Sequence, residues 1–399
     1  MIENNRPLDV LVIGAGIAGL SAAIALGKQG HHVVYHCAQI LERSSFLRET
    51  GAAIHLPPNC TALLKWMGVD PEEFGGTIMN EIHRYSHAGE LKYKKDFAGV
   101  RETWQAEWYL VHRVDLHNNL KLHALKTATL HTGCKITDVD INTSRPSVTL
   151  EDGRIFDADL LLGADGLHSQ IRRSVAPGAP GPYAVGKSCY RWLLPTDKLR
   201  KHETSRGFVE DPGIFMEWAT EGARLVAYPC SDNKVFNLCA FLPSKEAESS
   251  ASQVDGWQTV GDQNAVVQGF ADFHPGVQQI VQDADQNLRV WDLYDMEMLP
   301  TWTVGQTALI GDAAHPFQPY MGQGGAMAIE DAVGIATLLP YGSKASDIPS
   351  RLELYQSSRR PRVEMILNFT RLNGRDDSDA AGARITRKFL CFKKREQNS

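Results

Sequence analysis

The spacing of apolar residues near the N-terminus predicts a strand, a turn, a helix and a second strand, in that order. A run of four apolar residues ends at Gly14, and apolar positions recur with helical spacing over residues 18–26. Gly30 is expected to end this helix, because glycine readily takes the left-handed conformation found after helix ends. The apolar run 33–35 is expected to begin the next strand, so residues 9–35 predict a βαβ unit.

Two later stretches return to the same pattern of buried strands. Residues 159–163 form a nearly continuous apolar run, which is typical of a strand covered on both faces. Residues 307–310 resume this pattern, and a long helix is expected from about Gly325. Asp152 and Gly153 lie between two short apolar runs and predict a hairpin turn.

The segment from about 180 to 295 has a different character, and the chain is charged and helical in pattern from residue 352. Aromatic and β-branched runs alternate with turns in this segment, at 188–194, 208–218, 223–228 and 234–241. Short runs of this kind predict strands, and their irregular spacing favours a mixed sheet.

These patterns predict the fold class α/β, with a Rossmann-like dinucleotide-binding domain, a mixed β-sheet substrate domain and C-terminal helices. The first domain is expected to be discontinuous and to comprise 1–80, 106–180 and 296–340. The second domain is expected to comprise 81–105 and 181–295, with 341–399 as a C-terminal helical segment and tail.

Composition and charge exclude several classes of protein. The chain has 399 residues, a formal net charge of −6 and no basic stripe, so no nucleic-acid partner is expected. Its seven scattered cysteines form no C-x-x-C pair, which argues against a metal site or a disulfide framework and favours a reducing compartment. No apolar run approaches about 18 residues, so no membrane span is expected. We therefore expect a soluble cytoplasmic protein, either a monomer or a homodimer.

Gly14, Gly16 and Gly19 form a G-x-G-x-x-G motif between the first predicted strand and helix. Gly14 permits a tight turn, Gly16 lets the backbone approach a pyrophosphate, and Gly19 allows the helix to pack closely on the strand. The helix N-terminus adds unpaired amides and partial positive charge. The motif predicts dinucleotide binding; a glycine turn without a ligand is the alternative.

An acidic residue is expected about 20 residues after this motif, where it would bind a ribose hydroxyl. Cys37 is found near that position, and a thiol cannot replace a carboxylate acceptor. Glu42 is the nearest acid, and we assign it the ribose contact. Residues 36–41 are then interpreted as an inserted loop or a gene-model error, so that 33–35 would run directly into Glu42. Deletion of 36–41 is expected to improve folding and cofactor retention.

Two aspartates and a second glycine cluster follow predicted strands. Asp165 and Asp312 each come just after an apolar run and a glycine, at the strand ends where α/β sheets bind ligands. An ordinary turn aspartate is the alternative for each. Gly322, Gly324 and Gly325 precede a helix, where backbone amides would stabilise negative charge on a reduced flavin. Together with the first motif they predict one large dinucleotide, FAD.

His315 and Pro316 lie between these two groups of residues and are expected to face the flavin ring. For His315, two interpretations remain. It is either a general base or, as is commoner for a histidine in such a turn, a structural residue.

The ordered set of motifs resembles the class A FAD-dependent aromatic monooxygenases, the salicylate hydroxylase and para-hydroxybenzoate hydroxylase family. The resemblance covers most of residues 8–370, and its specific parts are 14–19, 42–59, 111–116, 163–172, 311–316 and 319–325. It implies a GR2-type FAD-binding domain in which Arg113 contacts FAD, Arg48 lies near the flavin and Asp312 binds the ribityl chain. Residues 165–166 would serve both FAD and NAD(P)H. Further positions assigned to the cofactor site are Ala18, Arg43 and Ala53.

The resemblance also implies a reaction, the hydroxylation of a phenolic or related aromatic small molecule that is salicylate-like or of polyketide type. NADPH or NADH would reduce FAD, which would react with O2 to a C4a-hydroperoxide that attacks the ring. A single glycine fingerprint agrees with a reductant that binds only transiently. The chain departs from the family at Cys37, where an acidic residue is expected, and after Val363, where the family usually continues as a longer helix.

Substrate contacts are expected from the mixed β-sheet. Arg191 is a candidate to pair with a carboxylate or a 1,3-dicarbonyl oxygen, and Tyr228 is a candidate partner for a phenol. Ordinary strand positions are the alternative for both. Two other functions remain open. One is a flavin-dependent halogenase, although the chain lacks the W-x-W-x-I-P signature of that group; the other is a degenerate flavoprotein that acts as a binding or scaffolding partner.

Overall fold

A computed structural model describes residues 6–31, 38–44, 52–244, 260–284 and 288–375 of the chain. The strands are β1 (Val10–Ile13), β2 (Ala38–Leu41), β3 (Ala53–Leu56), β4 (Thr77–Ile78), β5 (Glu81–Ser86), β6 (Leu91–Asp96), β7 (Tyr109–His112), β8 (Ala128–His131), β9 (Ile136–Asp140), β10 (Ser147–Leu150), β11 (Ile155–Asp157), β12 (Leu160–Gly163), β13 (Tyr183–Pro195), β14 (Ile214–Ala219), β15 (Arg224–Cys230), β16 (Val235–Pro243), β17 (Arg289–Asp295), β18 (Thr303–Val304) and β19 (Thr307–Leu309). The α-helices are α1 (Ile17–Lys28), α2 (Pro58–Met67), α3 (Val100–Trp104), α4 (Arg113–Ala124), α5 (Ile171–Val175), α6 (Thr196–Lys201), α7 (Glu203–Arg206), α8 (Gln263–Gly269), α9 (Pro275–Gln282), α10 (Gly324–Leu338) and α11 (Ile348–Asn373). Short 3₁₀ turns occupy Pro71–Phe74, Gly311–Ala313, Pro319–Met321 and Ala345–Asp347.

The first sheet has the strand order β18-β19-β12-β1-β2-β8, with β1 near its centre. Its strands pair in parallel, except that β18 is antiparallel to β19. Every residue of β1 and of β12 is buried. Parallel strands with both faces covered need apolar residues along their whole length. The prediction of a Rossmann-like sheet from the two apolar runs is confirmed.

The second strand along the chain does not have the position that the sequence predicted. Strand β2 is Ala38–Leu41, and it pairs in parallel with β1, Leu11 with Gln39 and Ile13 with Leu41. The interpretation of 36–41 as an inserted loop is therefore wrong for 38–41, and deleting these residues would remove a strand from the sheet. The predicted strand 33–35 lies outside the described residues. Glu42 does follow the second strand directly, as predicted.

The second sheet has the order β17-β13-β16-β15-β14-β5-β6. The sheet is mixed, as predicted, because β14 and β5 run in parallel while its other neighbours are antiparallel. The predicted strand 208–218 begins too early, since β14 starts at Ile214 after the turn at Gly213, where φ is +69°. The pairing of β5 with β14 joins 81–96 to the later strands, although the domain boundaries themselves stay a prediction.

The two faces of the second sheet have different surroundings. Trp192 and Trp218 belong to a buried cluster that also contains apolar residues of α8 and α9. The opposite face carries Arg191, Tyr228 and Cys239, and Tyr228 belongs to a cluster with Ala53 of β3. The second face is therefore the one turned toward β3 and the first sheet.

The C-terminal helices are confirmed. Helix α10 begins at Gly324, and α11 runs for 26 residues to Asn373, so the helix does continue past Val363. The tail after residue 375 lies outside the described residues. Within the described part of the chain, we find no helix with both the length and the apolar character needed to cross a membrane.

Candidate functional site

The turn between β1 and α1 is built as the glycine motif requires. Gly14 has φ +107°, and a Cβ at this position would lie 2.3 Å from the carbonyl oxygen of Ala164. A Cβ at Gly19 would lie 2.0 Å from the carbonyl oxygen of Gly14. Both glycines are thus needed for the close approach of the backbone segments themselves, whether or not a ligand is bound.

Gly16 has a different environment from its two neighbours in the motif. It caps α1 with φ −75°, and a Cβ there would meet no atom within 4 Å. No side chain caps this end of α1, so the amides of its first turn donate to no capping side chain. Open space in front of a helix N-terminus fits an anionic group such as a pyrophosphate.

Alanine substitutions at Gly14 and Gly16 are expected to separate folding from cofactor binding. Gly14→Ala should lower the apparent melting temperature, because a strained left-handed residue alone costs about 1–3 kcal/mol and the methyl group also collides with Ala164. Gly16→Ala should leave the melting temperature unchanged but weaken FAD binding by about tenfold or more, since about 1.4 kcal/mol suffices for that. Differential scanning fluorimetry and FAD titration measure the two effects. Full FAD affinity in Gly16→Ala would exclude the pyrophosphate from this turn.

Glu42 lies beside the glycine turn, at the end of β2. Its Oε2 accepts a hydrogen bond of 2.9 Å from the amide of Ala15, and its Oε1 accepts one of 2.8 Å from the amide of Ser44. Arg43 is exposed next to it. The position suits a ribose partner, and that role stays a prediction. Arg48 lies outside the described residues.

Asp165 and Asp312 lie on adjacent turns but in different surroundings. The Asp165 carboxylate accepts hydrogen bonds from the Ser169 hydroxyl at 2.5 Å and from the Gln170 amide at 2.7 Å, which fixes the turn before α5. Asp312 is exposed at the surface, and the protein atoms around it partly desolvate its carboxylate. This desolvation raises the pKa of Asp312, while the charges of His315 and Arg113 oppose the rise.

Arg172 joins the two aspartate turns, a role that the sequence did not reveal. Its Nε donates to the carbonyl of Ala313 at 2.7 Å and its Nη2 to the carbonyl of Asp312 at 2.8 Å. The same guanidinium donates to the carbonyls of Leu167 at 2.7 Å and Gly166 at 3.2 Å. One buried arginine therefore holds the turn at 165–167 against the turn at 312–313.

The glycine cluster at 322–325 brings the start of α10 against β3 and α1. A Cβ at Gly322, where φ is +60°, would lie 2.9 Å from the His55 Cβ, and one at Gly325 would lie 2.8 Å from Ile54. Gly324 is the first residue of α10, and no side chain caps this helix. A Cβ at Gly311 would lie 2.9 Å from that of Ala18, which joins the 311–316 turn to α1. Three glycine-bearing corners that are far apart in sequence, at 14–19, 163–166 and 311–325, thus adjoin one another.

His315 and Pro316 are buried rather than turned toward open space. The His315 ring nitrogen Nε2 lies 2.6 Å from Oδ2 of Asp331, and both side chains are fully inaccessible. The ring also packs against Trp302 at 5.0 Å between centroids. These contacts favour the structural interpretation of His315.

Arg113 and Ala53 lie where β3 meets β7 and α4. The amide of Arg113, the first residue of α4, donates to the carbonyl of Ala52 at 2.8 Å. One turn further along α4, the ring nitrogen Nε2 of His117 lies 2.8 Å from the carbonyl oxygen of Ala15 in the glycine turn. Helix α4 therefore connects the glycine turn with β3 and places the Arg113 charge near Asp312.

The face of the second sheet that is turned toward β3 holds the predicted substrate residues. The Tyr228 hydroxyl donates to the carbonyl of Ala53 at 3.0 Å, so its proton is engaged by backbone. The Arg191 guanidinium lies over the Trp291 ring, 4.6 Å from the centroid. Asn237 completes the junction, because its Oδ1 accepts a hydrogen bond of 2.9 Å from the amide of Ala53.

His55 is the residue of this region that sequence reasoning missed. Its ring lies edge-on to Tyr228 at 4.6 Å, Phe215 at 5.1 Å and Trp108 at 6.3 Å between centroids. Burial, and then the charge of Arg191, lowers the pKa of His55 to about 3. His55 is therefore a neutral imidazole at physiological pH. Its position within the 42–59 stretch gave no sign of this environment, since its aromatic neighbours come from other strands and from a loop.

The depressed pKa of His55 predicts an acid-sensitive structure. The unfolded chain protonates this residue near pH 6.5 and the folded protein only near pH 3, so the unfolded state binds more protons in that window. Stability must then fall as the pH drops from 6.5 toward 3, by at most about 1.4 kcal/mol per pH unit. His55→Gln is expected to flatten the dependence of melting temperature on pH between about 7 and 5. His87→Gln, at an exposed position, should leave the slope unchanged; equal slopes in both variants would contradict the prediction.

A separate groove of about 460 Å³ lies between α2, α10 and α11, on the far side of α10. Its lining includes Leu63, Val333 and Leu354 and none of the predicted site residues. The candidate site is instead the junction of the three glycine corners with the inner face of the second sheet.

The comparisons with known proteins agree with this geometry. The family model described as FAD binding domain matches residues 7–370. The chain is 32% identical over 391 residues to hispidin-3-hydroxylase of Neonothopanus nambi, covering 92% of this chain and 88% of that protein. It is 30% identical over 378 residues to 3-hydroxybenzoate 6-hydroxylase 1 of Aquipseudomonas alcaligenes, covering 91% and 88%.

A solved structure, a salicylate hydroxylase substrate complex, is similar in fold with a TM-score of 0.78. The two chains are 23% identical, and the similarity covers 97% of this chain and 94% of the other. The chain therefore belongs to the FAD binding domain family, among FAD-dependent aromatic hydroxylases, which confirms the resemblance drawn from its motifs.

Proposed function

We propose that the protein hydroxylates a phenolic or related aromatic small molecule with NAD(P)H and O2 as co-substrates and FAD as cofactor. The observation that carries this proposal is the junction of the three glycine corners with a sheet face that presents Arg191 and His55. The names of its relatives support a hydroxylation of this kind. The ring of the substrate would be salicylate-like or of polyketide type.

The residues around the glycine corners fit FAD. The open space at Gly16 would receive the pyrophosphate, Glu42 a ribose, and Asp312 a hydroxyl of the ribityl chain. Uncapped amides at the start of α10 would lie near the flavin ring, with Arg113 beside Asp312. When bound and reduced, FAD supplies the activation of O2 that protein side chains cannot provide.

The chain's own residues would bind the substrate, orient it and exclude water. Phe215, Tyr228 and Trp108 surround His55 with aromatic surface, which keeps this part of the site dry. The uncharged His55 imidazole can accept a hydrogen bond from a phenolic hydroxyl and so orient the ring. The Tyr228 hydroxyl donates to the carbonyl of Ala53, so Tyr228 would hold β3 in place rather than donate to the substrate.

Substrate-dependent reductant consumption tests the proposal. The purified protein, loaded with FAD, is screened for NADH and NADPH oxidation in the presence of a panel of phenols and hydroxybenzoates. We expect at least one ring to stimulate oxidation and to gain one oxygen atom, detected by mass spectrometry. Gly16→Ala, with its FAD affinity reduced, is the matched control. A yellow holoprotein that no ring stimulates would contradict the hydroxylase assignment, and a protein that never retains FAD would favour the scaffold alternative.

A further inference from the structure

Cys239 lies beside Arg191 on the inner face of the second sheet. It is on β16, where the strand register pairs it directly with Arg191 of β13. Tyr228 of the next strand, β15, is on the same face and donates to the carbonyl of Ala53 in β3. The Cys239 side chain therefore faces the junction where we propose that FAD and substrate bind, and 4% of its surface stays accessible.

Asn237 fixes the Cys239 sulfur as a hydrogen-bond acceptor. Its Oδ1 accepts a hydrogen bond of 2.9 Å from the amide of Ala53. Because a backbone amide can only donate, the other end of the Asn237 side chain must be its NH2 group. This Nδ2 donates to the Cys239 Sγ at 3.2 Å. A neutral sulfur is a weak acceptor, and ionised acceptors form stronger hydrogen bonds, so the arrangement favours a thiolate.

Arg191 needs a negative partner, because a buried charge without one is strongly unfavourable. None of the described carboxylates forms an ion pair with its guanidinium. The groups that act on its charge are Cys239, Cys189 and Tyr228, in that order. A thiolate at Cys239 would meet the need with an ion pair across the two strands.

The protonation of the surrounding groups agrees with such a pair. Burial opposes ionisation of Cys239, but the adjacent Cys189 thiol and the charge of Arg191 outweigh it and lower the pKa of Cys239 to about 6. Burial raises the pKa of Cys189 and of Tyr228 well above their ordinary values, so both stay protonated. His55, which faces Arg191 from β3, is neutral. Near pH 7 the negative charge of this cluster therefore belongs to Cys239.

We propose that Cys239 is a modification site, a thiolate held between Arg191 and Asn237 that hydrogen peroxide oxidises to sulfenic acid. The sulfur attacks one oxygen of the peroxide, so that an S–O bond forms while the O–O bond breaks and the sulfur loses two electrons. The other oxygen leaves as hydroxide and takes a proton from the buffer to become water. The neighbouring guanidinium stabilises the negative charge that develops on this leaving oxygen.

The other described cysteines lack this combination of charge and access. Reactivity toward peroxide requires a thiolate that the oxidant can reach. Burial raises the pKa of the remaining four thiols, those of Cys60, Cys134, Cys189 and Cys230. Cys189 is the closest comparison, because it lies on the same face as Cys239 but is fully buried and protonated.

The proposed function would supply the oxidant, but the oxidation does not depend on that function. O2 that takes up two electrons and two protons without giving an oxygen atom to a ring leaves as hydrogen peroxide. The peroxide would then form at the junction that Cys239 faces. Peroxide added to the solution drives the same step, so the modification can be tested without any substrate or reductant.

Time-resolved trapping of sulfenic acid tests the assignment on the FAD-loaded protein. The protein is treated with equimolar hydrogen peroxide and quenched at intervals into denaturant with excess dimedone, and the labelled peptides are counted by mass spectrometry. At pH 7 we expect Cys239 to be labelled about tenfold or more faster than each other described cysteine, since an ordinary thiol is only a few per cent ionised there. Between pH 7 and 8.5 its rate should change by less than about twofold, whereas an ordinary thiol gains about tenfold or more.

Variants then assign the reactivity to the ion pair. Arg191→Met should slow the labelling of Cys239 at pH 7 by about tenfold, because the thiol regains an ordinary pKa, and Arg191→Lys should keep most of the rate because the charge remains. Arg200→Met, at an exposed arginine paired with Asp197, is the control and should leave the rate unchanged. Retained FAD in each variant shows that the site is folded. If Arg191→Met loses FAD, the pH dependence of the unaltered protein decides alone.

Several outcomes would overturn the assignment without touching the proposed function. One is that Cys239 is labelled no faster than Cys189, and another is a rate that rises about tenfold between pH 7 and 8.5. A third is an unchanged rate in a folded Arg191→Met variant. Failure of the function itself would look different, as a holoprotein whose Cys239 reacts with peroxide as expected but in which no ring stimulates the oxidation of NADH or NADPH.

Discussion

Replacing Asp331 by alanine is expected to lower the apparent melting temperature by on the order of 10 °C. The fully buried carboxylate of Asp331 lies 2.6 Å from His315 Nε2 and accepts hydrogen bonds of 2.9 Å from Arg359 and 3.0 Å from the amide of Gly311. Removing one partner of a buried charge pair costs about 3–5 kcal/mol, because the remaining charge is left uncompensated. Each kcal/mol shifts the melting temperature of a domain by roughly 2–4 °C.

The same substitution is expected to release FAD, since Asp331 fixes the amide of Gly311 next to Asp312. Thermal unfolding followed by circular dichroism and by flavin fluorescence should show both losses. Asp197→Ala, at a position whose side chain is 82% exposed, is the control and should change stability by less than about 0.5 kcal/mol. If Asp331→Ala melts within a degree or two of the control, the buried network does not support the site.

Arg172→Met is expected to weaken FAD binding by about tenfold or more and to lower the melting temperature. The substitution keeps most of the apolar stem but removes the hydrogen bonds that hold the 165–167 turn against the 312–313 turn. Leaving a buried acceptor unsatisfied costs about 1–3 kcal/mol, and Asp312 loses its fixed position at the same time. FAD titration of the apoprotein measures the first effect and scanning fluorimetry the second.

The adjacent arginine offers a matched control for this prediction. Arg173 is exposed while Arg172 is buried, so Arg173→Met changes the same charge one residue along without disturbing the turns. We expect Arg173→Met to bind FAD as tightly as the unaltered chain. Equal FAD affinities in the two variants would show that Arg172 only stabilises the fold and does not position Asp312.

The parts of the fold that depend on local pattern could be predicted from the sequence. The nearly continuous apolar runs indicated β1, β12 and β19, because strands covered on both faces are mostly apolar; the buried Thr307 of β19 is an exception. The glycine motif was recognisable because Gly14 and Gly19 meet backbone atoms that tolerate no side chain. The contact of Gly19 lies within the motif, whereas the contact of Gly14 with Ala164 is distant in the chain and was foreseen only because the motif marks that position.

The second strand was misplaced for a physical reason. Its apolar content is split between 33–35 and Ile40–Leu41, and pattern alone does not distinguish them. The parallel pairing with β1 on one side and β8 on the other selects Ala38–Leu41. Pairing of this kind joins residues that are far apart in the chain, so it cannot be read from a short window.

The parts of the site that depend on tertiary contacts were missed for the same reason. His55 becomes a neutral group only because Tyr228, Phe215 and Trp108 are brought around it from three other strands or loops. Arg172 was visible as a motif residue, but its partners at 312–313 are separated from it by 140 residues or more. His315 was expected to face the flavin because its partner, Asp331, could not be foreseen.

Helix α11 is attached to opposite halves of the molecule at its middle and at its C-terminal end. Arg359 near its middle holds Asp331, while Arg371 binds Asp295 at 2.7 Å and the carbonyl of Asn373 accepts from Arg224 at 2.9 Å. The helix is about 39 Å long at 1.5 Å per residue. It therefore connects α10, through Arg359 and Asp331, with the second sheet, which bears Arg191. Moving these halves relative to each other during turnover would break the hydrogen bonds and ion pairs that α11 makes. Rearrangement of local loops would therefore cost less free energy as a way to admit ligands.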